Sequence, residues 1–189
     1  ALGEAFDKTA KLLNLGYPGG PQIEKCSNHG NPDKYQFPMP LIHEKNCNFS
    51  FSGLKSSVAQ LVLNKKITEK FKCDVSASFQ RTIAEILITK TRKALDIFKD
   101  MNKKQNTVNI VVAGGVAANK YLRESLKSIE KSSNVQFFFP SLQLCTDNGA
   151  MIAYAGIERY EKNLFNKLNF KPKPRWPLDK KAIFMKGKR

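Results

Sequence analysis

The sequence predicts an α/β fold, a mixed sheet that is parallel in part and flanked by helices. Three observations carry that expectation. Val108-Asn109-Ile110-Val111-Val112 is a β-branched run of the kind found in buried strands, and Gly114-Gly115 turns it into a helical stretch. Val135 to Phe139 is a second apolar strand, ended by Pro140. Strands that alternate with helices in this way favour a parallel pairing around residues 108–139. Upstream, Phe79, Ile83, Ile86, Leu87, Thr91, Ala94, Leu95 and Phe98 recur at the 3.6-residue helical period.

In chain order, Ala5, Phe6, Ala10, Leu12 and Leu13 make residues 1–15 a helix. Gly16-Tyr17-Pro18-Gly19-Gly20-Pro21 breaks it, and a second helix follows from Gln22 to Asn28. Extended stretches are expected at Phe37–Ile42 and Asn48–Ser52, the latter with strand-like alternation. Leu54 to Asn64 reads as helix, and the long periodic helix runs from Val75 to Lys99. Met101 to Thr107 is a basic linker, Ala117 to Ile129 a helix, and Asp147 to Glu161 a last helix of small and apolar residues. Residues 1–162 read as one folded portion and 163–189 as a basic, proline-bearing tail in which Trp176 can anchor.

The chain has 189 residues, 41% hydrophobic and 25% charged, which excludes disordered and fibrous classes. No apolar run approaches the ~20 residues of a membrane helix. Thirty-two Lys and Arg against sixteen Asp and Glu give +16, half of it from residues 163–189, a balance that suits a polyanionic partner. Four cysteines without a CxxC pair read as reduced cytosolic thiols. A chain that opens on Ala1 in mid-helix reads as a piece of a longer protein.

The glycines at the exit of the 108–112 strand let a backbone approach a ligand closely, and the helix N-terminus beyond them suits phosphate. The pattern is neither GxGxxG nor a P-loop, so a tight crossover turn competes with nucleotide binding. Asp147 opens a helix among Thr146 and Asn148, as a cap or as a metal ligand. Glu4 and Asp7 share a helix face, as an acid/base pair or as a solvated face with Lys8 and Lys11. His29 and His43 lie in loops and read as surface residues.

Seven blocks, in order, carry a resemblance: Gly3–Lys8, Tyr17–Pro21, Phe49–Lys55, Asp74–Gln80, Val112–Asn119, Cys145–Ala150 and Pro174–Leu178. With them the chain resembles the bacterial TsaD family. The resemblance implies the fold shared by actin, Hsp70 and sugar kinases, of which this chain would form an RNase H-like lobe and part of the nucleotide cleft. It implies a cytoplasmic transferase that moves threonylcarbamoyl from threonylcarbamoyl-AMP to N6 of adenosine 37 in ANN-decoding tRNAs. Partners implied are tRNA, a TsaB-like paralogue and a TsaE-like ATPase, with no membrane.

Among site residues, the resemblance makes Asp7, Gly20, Glu24 and Asn119 substrate-binding. Asp7 and Glu24 would accept from ribose hydroxyls, Gly20 would leave room, and Asn119 would offer its amide. Asp147 matches the family's aspartate ligand to a divalent metal, iron or zinc, whose two HxxxH histidines this sequence does not contain. The resemblance therefore implies the C-terminal portion of such a protein, inactive alone. Asn14 stands where the family commonly has glycine. The family's older label, a metalloprotease of glycoproteins, and a non-enzymatic basic binding module are the alternative readings.

Overall fold

In the computed structural model, residues 2–103, 107–132 and 134–172 are described. The chain divides into two compact units between Asp147 and Asn148. The expected anchoring of Trp176 and the lysines beyond it lie outside the described residues, as does the Pro174–Leu178 block.

Helix α1 spans Leu2–Leu12 and buries Ala5, Phe6, Thr9 and Ala10 on one face. It stops at a left-handed residue, Asn14, at φ 53°. The N–H of Asn14 reaches the carbonyl of Lys11 at 3.1 Å and that of Leu15 reaches Ala10 at 2.9 Å, the paired bonds that close a helix C-terminus. Gly16, at φ 95°, carries the chain into α2, Gly19–Ser27. That helix starts three residues before the expected Gln22, because both glycines enter its first turn. A Cβ on Gly19 would lie 2.5 Å from the Cα of Asp7, so only glycine lets α2 approach α1 this closely.

Helix α3 is Ser52–Leu63, and α4 is Glu69–Met101. With 33 residues α4 is about 50 Å long. It begins six residues before the expected Val75 because Thr68 Oγ1 accepts the Phe71 N–H at 3.1 Å and caps it. Its first half packs Phe71, Val75, Phe79 and Ile83 with Phe6, Ile23 and Leu54 in one core cluster. Farther along, Leu95 joins a second cluster with Val108, Leu126, Ile129, Val135 and Phe137.

The sheet has two parallel strands, β1 Val108–Val111 and β2 Val135–Phe138, in register Val108 to Val135 through Val111 to Phe138. The expected parallel pairing is therefore present, and the architecture is mixed α/β. The stretches 37–42 and 48–52 do not pair into any sheet among the described residues. Instead α4 holds the chain between them. The buried Lys90 ammonium donates to the carbonyls of Glu44 at 3.3 Å and Asn46 at 2.9 Å, and Lys93 donates to Glu44 at 2.7 Å.

The helix expected over 117–129 is three pieces: a 3-10 turn Gly115–Ala118, helix α5 Lys120–Lys127, and a 3-10 turn Ser128–Ser132. Asn119 breaks it. Its side chain takes the Leu122 N–H at 2.9 Å, which starts a new helix in place of continuing the old one. In the second unit, α6 runs Gly149–Glu161 and its cap is Asn148, whose Oδ1 accepts the Met151 N–H at 2.9 Å. The helix therefore opens two residues after Asp147, and Gly149 occupies its forgiving first turn.

Candidate functional site

A cavity of about 430 Å³ opens in the first unit where α1, the start of α2 and the Gly115–Ala118 turn converge. Asp7, Gly20, Glu24 and Asn119 all line it, although 112 positions separate the first from the last. Gly115, Val116 and Thr146 complete much of the wall.

Asp7 sits on the half-buried face of α1, and its Oδ1 accepts the Gly19 N–H at 2.8 Å. The carboxylate thereby receives a donor at the positive end of α2 and keeps Oδ2 for a ligand. Gly20 is the second residue of that helix, and a Cβ there would meet nothing within 4 Å, so its hydrogen faces open space in the cavity wall. The steric demand in this turn falls on Gly19 instead, which the sequence reading did not single out.

Glu24 Oε1 accepts the Lys120 N–H at 2.7 Å and thus ties α2 to the start of α5. Asn119 is buried, and both ends of its amide are engaged: Oδ1 with Leu122 N–H, and Nδ2 donating to Gln80 Oε1 at 2.7 Å. The chain of bonds continues as Gln80 Nε2 donates to Ser27 Oγ at 3.0 Å and that hydroxyl to the Glu24 carbonyl at 2.7 Å. This buried network fixes two cavity residues from behind. Gln80 and Ser27 were missed in the sequence. The available signal was a polar Gln80 beside the apolar Phe79 stripe of a helix.

At the strand exit, Gly114 sits at φ 94° and ψ 174°, a conformation reserved for glycine, and this bend delivers Gly115 and Val116 to the cavity. Glu4 and Asp7 do not form an acid/base pair. Glu4 Oε1 pairs with Lys8 at 3.0 Å and Lys55 at 3.2 Å, and these bonds, Lys8 first, hold its pKa at about 2. His29 and His43 are exposed, as expected.

Asp147 is exposed and does not line the cavity, although its neighbour Thr146 does. No group of three or more His, Cys, Asp or Glu side chains that could hold a metal occurs among the described residues. Among them, too, no helix is long and apolar enough to cross a membrane.

Comparison with known proteins places this geometry in context. Residues 1–154 match the family described as TsaD: tRNA N6-adenosine threonylcarbamoyltransferase. Proteins bearing that name from Rickettsia massiliae and Rickettsia rickettsii are each 53% identical to the chain over 180 residues, covering 95% of it and 52% of their own length. The homologue from Rickettsia bellii is 52% identical over the same span. The chain spans about half the length of the curated relatives it matches.

Proposed function

We infer the function from one premise: the chain belongs to the TsaD family. On that premise, the whole protein that carries it transfers a threonylcarbamoyl group from threonylcarbamoyl-AMP to N6 of adenosine 37 in ANN-decoding tRNAs. The N6 nitrogen would form a bond to the carbamoyl carbon, the bond from that carbon to the phosphate oxygen would break, and AMP would leave as N6 gives up a proton. The observation that supports this reading is the convergence of Asp7, Gly20, Glu24 and Asn119 on one cavity.

In this reading the adenylate lies against the Gly114-Gly115 bend and the start of α2. Asp7 and Glu24 accept from its ribose hydroxyls. Gly20 lets the ligand close on the backbone, and Asn119 positions the wall from its cap. The fold would be the RNase H-like lobe of the actin, Hsp70 and sugar-kinase type, completed by residues outside this chain. Asp147 would give one carboxylate to a divalent metal, iron or zinc, whose other ligands lie elsewhere in the whole protein. Partners would be tRNA, a TsaB-like paralogue and a TsaE-like ATPase, in the cytoplasm.

Calorimetry of the whole protein with a non-hydrolysable threonylcarbamoyl-AMP analogue tests the placement. Asp7→Ala should lose about 1.5–3 kcal/mol of analogue binding, the worth of a hydrogen bond to a charged acceptor. Gly20→Val should block the cavity. Wild-type analogue affinity in both variants would reject the site, and absence of transfer by the wild-type protein with its partners would reject the activity.

A further inference from the structure

Next to the adenylate cavity lies a second, solvent-facing depression of about 600 Å³, lined by α1 and the turn that follows it. Asp7 lines both, so its side chain stands between the two. The second holds Lys8, Lys11 and Tyr17. Its two acids are already engaged: Glu4 by Lys8 and Lys55, and Asp7 by the Gly19 N–H. Lys11 is exposed and has no ion-pair partner among the described residues.

Tyr17 is 83% exposed. A single exposed aromatic is ordinary on a surface. This one stands on a turn held at both ends, by the Leu15 N–H to Ala10 bond on one side and by the glycine-only contact of Gly19 with Asp7 on the other. The ring is thus presented from a fixed backbone at the lip of a cavity, in a depression it shares with a lysine that has no ion-pair partner among the described residues. Single-stranded RNA is bound by this combination, with bases stacked on aromatic rings and phosphates on lysines.

We propose that the Lys11–Tyr17 depression seats a nucleotide of the RNA acceptor's single-stranded loop, its base stacked on the Tyr17 ring and its phosphate on Lys11. The proposal rests on the transferase reading above. It adds a place for the acceptor: with the donor adenylate against Asp7, Gly20 and Glu24, the loop nucleotides flanking the reacting base enter from the side that Asp7 shares.

The test uses the whole protein with its partners and a fluorescent anticodon stem–loop. Tyr17→Ala should weaken stem–loop binding by about 5- to 150-fold, the loss expected of one stacked base. Tyr17→Phe keeps the ring and should bind as the wild type does. Lys11→Gln should flatten the log–log salt dependence by about 0.7, one phosphate contact on a single strand. In all three variants the threonylcarbamoyl-AMP analogue should bind with wild-type affinity, and KM for tRNA should rise in Tyr17→Ala while kcat holds. Wild-type stem–loop affinity in Tyr17→Ala overturns the proposal. So does an equal loss in Tyr17→Phe, or a parallel loss of analogue binding, which would mark Tyr17 as a support of the turn. Loss of a protein partner with stem–loop affinity intact would reassign the depression to protein docking. If the wild type transfers normally while Tyr17→Ala binds normally, this proposal alone falls. If the wild type neither binds analogue nor transfers, the transferase reading falls with it.

Discussion

At the scale of single residues, Asn14 shows how one side chain can satisfy a backbone demand. It sits at φ 53°, where a Cβ costs most residues about 1–2 kcal/mol, and Asn is among the few that tolerate the region. Its place in a sequence that resembles one with glycine there is therefore a substitution within the same conformation. Asn119 carries a heavier load. Its amide caps α5 through Leu122 and supplies the donor to Gln80 inside the protein. A role in ligand binding alone would leave the free protein's stability untouched by its removal. The geometry says otherwise: Asn119→Ala loses a cap worth about 1 kcal/mol and strands the buried Gln80 oxygen at a further 1–3 kcal/mol. Asn119→Ser should keep the cap and lose only the Gln80 bond, and pairing it with Gln80→Leu should recover part of that loss. Urea unfolding of the four proteins reads the coupling. Additive effects would show that the two side chains do not act together.

At the scale of elements, the helices and both strands were legible from apolar periods, β-branched and apolar runs and the Gly/Pro turns between them, while their ends were not, because ends are set by single polar side chains. Thr68 starts α4 early, Asn119 splits the helix after Gly114-Gly115, and Asn148 delays α6. The stretch 37–42 reads as extended and 48–52 alternates like a strand, yet carbonyls of the intervening chain go to Lys90 and Lys93. The convergence of four site residues came from the family resemblance, and the Asn119–Gln80–Ser27 network behind them had no local pattern to betray it. Asp74, on α4, gives the elements a pH dependence. Burial pushes its carboxyl up from the ordinary 3.8, but the Asn31 N–H at 2.7 Å and the Lys70 ammonium outweigh burial and bring it below that value. A depressed aspartate stabilises the fold above the unfolded value and loses that contribution as pH falls through the folded one. Asp74→Asn should therefore be less stable than wild type at pH 7, and the gap should close in the acid range below about 4. Guanidinium unfolding across pH measures it. A gap that stays constant down to pH 2 would show that ionisation of Asp74 contributes nothing.

At the scale of the whole molecule, charge and chain connection matter more than any one contact. The +16 excess suits an RNA partner, although half of it lies in residues 163–189. The small and apolar Ala150, Met151, Ala153, Ala155 and Ile157 made α6 legible as a helix, yet all five are exposed, so composition reported the element and not its burial. The junction between the two units falls directly after Asp147, and there two readings of one motif separate. The sequence Thr146-Asp147-Asn148 allowed Asp147 to be a cap or a metal ligand. Asn148 holds the cap bond to Met151, so α6 does not need the Asp147 carboxylate. If Asp147 is the metal ligand that the resemblance implies, Asp147→Asn in the whole protein should lose bound metal while its melting temperature in the presence of a chelator matches that of wild type under the same conditions. Asn148→Ala should do the reverse, keeping the metal and costing about 1 kcal/mol for the lost cap. Elemental analysis after desalting gives the metal content, and thermal unfolding gives the stability. Full metal content in Asp147→Asn would remove Asp147 from the ligand set, whereas a lowered chelated melting temperature in that variant would return it to a structural role.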